Sequence, residues 1–277
     1  MFTTLIDVTD LHDHVADSDW IIVDCRFGMA DTDAGRHDYE ASHIPGAVYA
    51  HLDDDLSNPL VTDNGRHPLP APEVLRECFG RLGIGAGKQV VAYDNVNGAY
   101  AARLWWMLRY MGHVAVALLD GGWAAWQEAG FSVSRGEERQ TTVSFTGESR
   151  QEWLVVMADV ASVSMLIDSR AEPRYRGAVE PLDPVAGHIP GARNYFYQRN
   201  WGKNGRYLPA QQIQTQLKEL LGETNPEEAV FYCGSGVTAC VNLLALAHAG
   251  MGNGRLYAGS WSDWITNPTS PIATGNI

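Results

Sequence analysis

Short apolar runs recur along the chain and alternate with longer segments whose apolar residues have helical spacing. The clearest runs lie at residues 21–23, 90–93, 166–167 and 229–232, and each is followed by polar or glycine-rich sequence. Such an alternation predicts an α/β fold, in which a mainly parallel sheet is flanked by helices on both faces. Ligands of such sheets bind at the carboxyl ends of the strands.

The pattern is duplicated within the chain. His-Ile-Pro-Gly-Ala occurs at residues 43–47 and again at 188–192, and an Asp-x-Arg motif ends an apolar run at Asp24 and at Asp168. A Trp-x-x-Trp pair, whose spacing is that of one helical face, also occurs in each half. We therefore predict two tandem copies of one α/β domain. The predicted first copy, polar linker and second copy span residues 1–135, 136–152 and 153–277.

The overall charge narrows the range of partners. The chain has 20 Lys and Arg residues against 33 Asp and Glu residues, which gives a formal net charge of −13. A chain this acidic, without a long basic run, is not expected to bind nucleic acid or an anionic membrane surface. An anionic substrate would have to be held by a few local cations.

Four cysteines bear on the compartment. They lack the spacing of a metal site and are too few for a disulfide scaffold; they are Cys25, Cys78, Cys233 and Cys240. The first residues also lack the basic segment and apolar core of a signal peptide. We therefore expect a cytoplasmic protein in which Cys25, Cys78 and Cys240 are small buried hydrophobes. A role for Cys240 as a thiol that resolves an oxidised sulfur is the alternative.

The residue with the most evident chemistry is Cys233. It directly follows the apolar run at residues 229–232 and precedes a segment with helical spacing, so it is predicted to lie between a strand and a helix. N–H groups at a helix start carry partial positive charge and lower the pKa of a thiol there. Gly234 and Gly236 allow the loop to curl so that several amides point at one sulfur atom. The pattern predicts a stabilised thiolate.

Together these motifs resemble the two-domain sulfurtransferases of the rhodanese superfamily, and the loop at residues 233–238 is similar to that of the 3-mercaptopyruvate type. The resemblance covers nearly the whole chain. It implies two tandem rhodanese-like domains, an enzyme that carries sulfur as a persulfide on Cys233, and neither a metal nor an organic cofactor. The donor-binding residues that it implies in the loop are Gly234, Gly236, Val237 and Thr238.

The first copy differs at the corresponding place. Its apolar run at residues 90–93 ends in Asp94, where the second copy has Cys233. Because a carboxylate cannot hold a persulfide, we expect the first copy to be catalytically inactive.

The resemblance also implies residues outside the loop. An arginine after the second Asp-x-Arg motif binds the anionic group of the donor, and by position this is Arg174. A serine, a histidine and an aspartate that span the two copies correspond to Ser235, His67 and Asp53. Such a set would orient the histidine and polarise the serine beside the C–S bond that breaks. Asp53 stands in an acidic run, so a solvated surface position is its alternative.

One feature of the 3-mercaptopyruvate type is missing. Its members usually carry a second arginine shortly before the second His-Ile-Pro-Gly motif, but residues 180–187 contain no cation. Arg176, two residues beyond Arg174, would point the same way as Arg174 if the segment were extended. We therefore take Arg176 as the candidate replacement.

Several residues that occur in both copies are expected to be structural, because one of the copies is inactive. His43 and His188 are predicted to hydrogen-bond the backbone of their turns, and the Asp-x-Arg pairs to brace loops. The paired tryptophans are predicted to pack in the core. His67 has no counterpart in the second copy, which favours a site role for it.

Three other functions compete with 3-mercaptopyruvate transfer. Thiosulfate is the alternative donor, although its two charges would favour basic residues where the loop has Gly234 and Ser235. A phosphatase of a related fold needs an arginine six positions after the cysteine, where this chain has Ala239. A persulfide carrier that docks a protein partner is the non-enzymatic alternative. For an enzyme, the acceptor is expected to be cyanide in an assay and a small thiol or thioredoxin in the cell.

Overall fold

A computed structural model describes residues 1–58 and 65–275, which form two compact units. The first unit comprises residues 1–58, 70–150 and 203–207. The second unit comprises residues 65–69, 151–202 and 208–275. Thus the short segment around His67 belongs to the same unit as Cys233.

The first unit alternates strands and helices along the chain. Its elements are β1 (Leu5–Ile6), α1 (Val8–His14), β2 (Trp20–Asp24), α2 (Ala34–Ala41), β3 (Val48–Tyr49), α3 (Pro72–Arg81), β4 (Gln89–Tyr93), α4 (Ala101–Tyr110), β5 (Val116–Leu119) and α5 (Gly122–Glu128). Within residues 1–58 and 70–150, the strands form one parallel sheet in the order β1-β5-β4-β2-β3.

The second unit repeats this arrangement. Its elements are β6 (Leu154–Val155), β7 (Met165–Asp168), α6 (Glu172–Tyr175), β8 (Arg193–Asn194), α7 (Ala210–Leu221), β9 (Ala229–Tyr232), α8 (Ala239–His248), β10 (Arg255–Tyr257) and α9 (Ser260–Trp264), with 3-10 turns at Gln151–Trp153, Met157–Ser162, Tyr197–Asn200 and Pro226–Glu228. In the described part of this unit the parallel order is β6-β10-β9-β7-β8. The predicted α/β duplication is confirmed.

The central strands are buried along their whole length, as expected for a sheet that has helices on both faces. All four residues of β9 and all five of β4 are buried. Helix α8 is buried over its first eight residues and packs against β9. Among the described residues, no helix is long and apolar enough to cross a membrane.

Each unit braces the carboxyl end of its sheet in the same way. Arg26 Nη2 donates to Asp24 Oδ2 at 2.6 Å, and its guanidinium stacks 4.7 Å from the ring of Trp123. The pair Arg170 and Asp168 repeats the 2.6 Å contact, and Trp261 repeats the stacking, at 4.8 Å. His43 and His188 each place Nδ1 within 2.8 Å of a backbone carbonyl oxygen. Both units share these contacts, and the carbonyls that face the histidines are those of Tyr39 in α2 and Tyr175 in α6.

Candidate active site

Cys233 lies where β9 ends, and α8 begins six residues later at Ala239. The segment that begins α9 fixes the backbone of the loop. Cys233 N–H donates to Ser260 Oγ at 3.0 Å, and the Cys233 carbonyl accepts from the N–H of Trp261 at 3.1 Å. The next carbonyl, of Gly234, accepts from the N–H of Ser262 at 2.8 Å. With its backbone held in this way, the residue is only 2% exposed.

The surroundings of the sulfur favour its anion. Burial raises the pKa of the Cys233 thiol, but the hydroxyl of Thr238 and the backbone N–H groups of Ser235, Ala239 and Gly236 all donate to the sulfur. These donors outweigh burial, and the pKa of Cys233 lies below its ordinary value. The predicted set of several N–H donors around the Cys233 sulfur is present. We call such a set of backbone donors around one anion a nest.

Other buried cysteines show what burial does outside this loop, and Cys78 does so although Arg81 Nη2 donates to its sulfur at 3.8 Å. Burial raises the pKa of Cys78 to about 12, and it raises the pKa of Cys25 well above the ordinary value. Cys240 is fully buried and directs its Sγ at the carbonyl oxygen of Gly236, 3.4 Å away. The low pKa of Cys233 therefore comes from the donors of its loop and not from a difference in burial.

The loop conformation depends on glycine at two places. Gly236 has φ +75°, and a Cβ there would overlap the carbonyl oxygen of Ala258. Gly234 lies beneath two guanidinium groups: a Cβ on it would be 2.8 Å from Arg66 Nη2 and 3.5 Å from Arg174 Nη2. Any larger residue at position 234 would therefore displace Arg66.

His67 and Ser235 are in direct contact. His67 Nδ1 lies 2.7 Å from Ser235 Oγ, although 168 positions separate the two residues in the sequence. Both are buried, with exposed fractions of 7% and 6%. The structure thus brings together two of the three residues of the predicted set. Asp53 lies in the first unit, where its backbone N–H donates to His51 Nδ1 at 3.2 Å, and its place beside His67 stays a prediction.

The predicted anion-binding arginine is part of an ion-pair cluster. Arg174 Nη2 donates to Glu180 Oε1 at 2.7 Å and to Asp183 Oδ2 at 3.2 Å. Glu180 also accepts from Arg170 Nη1 at 3.2 Å, so the cluster continues to the braced end of β7. Burial raises the pKa of Glu180, but hydrogen bonds from Arg174 and from backbone amides outweigh it and keep that pKa below its ordinary value.

The side chain of Arg176 pairs with a residue outside this ion-pair cluster. Its side chain is 44% exposed and pairs with Glu172 one helical turn away, at 3.0 Å. The segment that carries it is helical, with α6 ending at Tyr175, so the extended conformation in which Arg176 would point with Arg174 is absent there. The guanidinium that accompanies Arg174 above Gly234 belongs to Arg66.

Comparison with known proteins identifies the family of the chain. The rhodanese-like domain family matches the chain twice, at residues 7–129 and 150–267. The chain belongs to the rhodanese-like domain family. One relative, from Pseudomonas aeruginosa, is named "Probable 3-mercaptopyruvate sulfurtransferase" and is 44% identical over 279 residues, covering 98% of each chain.

Other members of the rhodanese-like family extend the likeness. The "Thiosulfate/3-mercaptopyruvate sulfurtransferase 2" of Arabidopsis thaliana is 30% identical over 298 residues, covering 97% of this chain and 86% of its own. The solved 3-mercaptopyruvate sulfurtransferase of Leishmania major superposes with a TM-score of 0.87 at 29% identity, covering 98% of this chain and 76% of that one.

The first rhodanese-like domain has the same kind of nest, but with a carboxylate inside it. Asp94 Oδ1 accepts from the N–H groups of Val96 and Gly98, and Oδ2 from those of Tyr100 and Ala101, all at 2.7–2.9 Å. Burial raises the pKa of Asp94, and these four donors oppose it. The first domain therefore supplies its own anion, the Asp94 carboxylate, at the place where the second domain has the Cys233 sulfur.

Arg66 and Asp183, which lie near Gly234 and Arg174 in the structure, were not predicted from the sequence. Arg66 was visible only as the neighbour of His67, and Asp183 only as one residue of a stretch that lacks a cation. They form an ion pair across 117 positions of sequence. The one available signal was local: a stretch expected to supply an arginine supplies two carboxylates instead, which calls for a cation from elsewhere.

Proposed function

We propose that this chain is a sulfurtransferase that moves sulfur from 3-mercaptopyruvate to a thiophilic acceptor through a persulfide on Cys233. Membership of the rhodanese-like family and the names of the relatives support sulfur transfer. The stabilised thiolate at Cys233 supports this residue as the nucleophile. The choice of donor depends on a further observation.

That observation is the 2.7 Å contact between His67 Nδ1 and Ser235 Oγ, two residues from the nucleophile. Transfer from 3-mercaptopyruvate leaves a carbanion that must be protonated to give pyruvate. Transfer from thiosulfate releases sulfite, which needs no proton on carbon. A hydroxyl coupled to an imidazole beside the reacting sulfur thus has a task with the first donor and none with the second.

The first half-reaction follows from these positions. The Cys233 thiolate attacks the donor sulfur, a new S–S bond forms, and the C–S bond breaks with its electron pair going to carbon. Ser235 passes a proton to this carbon and is reprotonated by His67, so that pyruvate and the persulfide Cys233–S–SH result. Arg174 holds the donor carboxylate during this step.

In the second half-reaction the acceptor attacks the outer sulfur of the persulfide and Cys233 leaves as thiolate. The Thr238 hydroxyl and the loop amides stabilise both the persulfide anion and the returning thiolate. Cyanide would give thiocyanate, whereas a small thiol or thioredoxin would give a new persulfide. We propose small thiols or thioredoxin as the cellular acceptors, since each supplies a soft nucleophilic sulfur.

Three further assignments belong to this proposal. Asp53 is the carboxylate that orients His67, and the first domain is catalytically silent because Asp94 fills its nest. We also place the enzyme in the cytoplasm, where a reactive thiol stays reduced. All four cysteines are free in the structure, which fits a reducing compartment.

The experiment is a comparison of donors. Pyruvate and thiocyanate are measured with 3-mercaptopyruvate and, separately, thiocyanate with thiosulfate, each with cyanide as acceptor. The variants are Cys233→Ser, Ser235→Ala and, as a matched control, Ser162→Ala, whose hydroxyl contacts only the carbonyl of Asp159 on the surface among the contacts described. We expect Cys233→Ser to be inactive with both donors.

Ser235→Ala separates the two donors. We expect it to slow 3-mercaptopyruvate turnover about 100-fold or more, the usual scale of general acid catalysis, and to leave thiosulfate turnover nearly unchanged. Equal losses with both donors would overturn the proton-transfer role. If wild-type protein turns over thiosulfate faster than 3-mercaptopyruvate, the donor is thiosulfate. If it turns over neither, the persulfide-carrier alternative replaces the enzyme.

A further inference from the structure

Arg66 is anchored to the second unit through its backbone as well as its side chain. The N–H of Arg66 donates to Ser262 Oγ at 3.1 Å. Gly65 before it has φ +79°, and a Cβ there would lie 2.8 Å from Ser262 Oγ and 2.9 Å from the carbonyl oxygen of Gly259. The chain therefore approaches the α9 start so closely that glycine is required, and this approach delivers Arg66 to the Cys233 loop.

The side chain of Arg66 is directed by Asp183. Arg66 Nη1 pairs with Asp183 Oδ1, while the other oxygen of the same carboxylate accepts from Arg174 at 3.2 Å. Asp183 is thus a bridge between two guanidinium groups, and its side chain is only 3% exposed. Both guanidinium groups lie within 4 Å of the place where a Cβ of Gly234 would be, and Gly234 directly follows Cys233 in the loop.

The charges of this cluster are balanced. Three arginines alternate with three carboxylates in the order Asp168, Arg170, Glu180, Arg174, Asp183, Arg66. Burial raises the pKa of Asp183, and Arg66 and Arg174 oppose that rise, so the carboxylate depends on both arginines to stay ionised. An anion that binds at Gly234 meets two guanidinium groups that already share one internal carboxylate.

We propose that Arg66 is the second guanidinium of the donor site and that Asp183 restricts this site to monoanions. The inference rests on the proposed function, whose donor has one carboxylate. Residues 180–187 lack the arginine expected there, and Asp183 within them recruits Arg66 from the first half of the sequence instead. Two guanidinium groups offer a carboxylate more than one planar donor pair. The negative charge of Asp183 repels a dianion twice as strongly as a monoanion.

The test measures binding, so that it does not depend on turnover. In a Cys233→Ser background, calorimetry gives the dissociation constants of pyruvate, a monoanion, and thiosulfate, a dianion. Arg66→Gln should weaken pyruvate binding about 10- to 100-fold, the scale of one or two charge-assisted hydrogen bonds. Arg66→Lys keeps the charge without the planar fork and should lie between. Lys218→Gln, which removes a surface charge from the same unit, is the control.

Asp183→Asn tests the restriction by charge. It keeps an oxygen acceptor for the arginines but removes the negative charge, so thiosulfate should gain at least about tenfold in affinity relative to pyruvate. An unchanged ratio would overturn the role of Asp183, and pyruvate binding by Arg66→Gln equal to that by Lys218→Gln would overturn the role of Arg66. Thermal unfolding of each variant shows whether it folds. If Arg66→Gln does not fold, Arg66→Lys is used instead, because lysine can keep a purely structural salt bridge. Weaker pyruvate binding by folded Arg66→Lys then supports the role of Arg66 in the donor site, and unchanged binding overturns it.

The failures of the two proposals can be distinguished. If wild-type protein releases no pyruvate from 3-mercaptopyruvate while Arg66 still governs pyruvate binding, the donor assignment fails and the anion site stands. If turnover is normal in Arg66→Gln, the enzyme stands and the anion site fails.

Discussion

The hydroxyl of Thr238 is the side chain that lowers the pKa of Cys233 most directly, and its removal is a sharp test of the loop. Thr238→Val keeps the shape of the side chain and removes one hydrogen bond to the sulfur anion. A hydrogen bond to a charged group contributes about 1.5–3 kcal/mol. Below the pKa, the thiolate population of Cys233 should therefore fall about 10- to 100-fold, since about 1.4 kcal/mol corresponds to a factor of ten.

The reactivity of Cys233 should fall less than its ionisation. A thiolate of higher pKa is intrinsically more nucleophilic, with a Brønsted coefficient of about 0.4–0.5, so roughly half of the effect on a logarithmic scale is compensated. We therefore expect alkylation of Cys233 by iodoacetamide at neutral pH to slow about 3- to 15-fold. Ultraviolet absorbance of the thiolate, recorded against pH, should show a titration shifted to higher pH.

The control for this experiment is Thr215→Val. Thr215 Oγ1 donates to the Gln211 carbonyl on an exposed face of α7, so the same isosteric change is made in the same unit away from the sulfur. If Thr238→Val and Thr215→Val both titrate like wild type, the hydroxyl does not stabilise the thiolate, and the low pKa must come from the amides alone.

Three further predictions follow from the described geometry. Gly236→Ala should abolish sulfur transfer, and this variant should unfold at a much lower temperature than the control Gly250→Ala. Both glycines have positive φ (+75° and +69°), so a left-handed strain of about 1–2 kcal/mol is common to both variants, but of these two positions only 250 has open space for a Cβ. Asp94→Asn should destabilise the protein by at least about 3 kcal/mol, because the amide group can no longer accept all four N–H groups. The control Asp13→Asn, at an exposed position, should leave the free energy of unfolding unchanged when both are measured by chemical unfolding. Equal stabilities of the two variants would contradict the role of these four hydrogen bonds. The pKa of Cys233 is lower in the folded than in the unfolded chain, so its thiolate adds stability above about pH 8.5 that is lost as the pH falls through the folded pKa. The unfolding temperatures of wild type and Cys233→Ser should therefore diverge with rising pH. A constant difference between the two temperatures would refute the shift.

The parts of the fold and site that depend on local sequence were predictable. The apolar run at β9, the glycines and the helical spacing after them all lie within about fifteen residues of Cys233, and together they specify a strand, a curled loop and a helix start. The duplication was also evident, because His43 and His188 stand in identical pentapeptides. These features need no knowledge of contacts between distant residues.

The parts that depend on distant contacts were not predictable from pattern alone. Arg66 reaches Gly234 because Asp183, 117 positions further on, pairs with it, and no periodicity reports such a pair. Arg176 was assigned from an assumed extended segment, whereas Pro173 at the start of a short helix sets a helical path for it. The position of each arginine relative to Gly234 thus depended on tertiary structure.

Asp94 makes the two halves of the molecule respond differently to the catalytic cycle. In the first half the donors around the nest always face the same carboxylate, so the stability of that half is independent of how much sulfur the protein carries. In the second half the same kind of donors face the Cys233 sulfur, which under the proposed mechanism is a thiolate and a persulfide in turn. If the proposed persulfide forms on Cys233, we expect sulfur loading to change the stability of the second domain and to leave the Asp94 contacts of the first domain as they are.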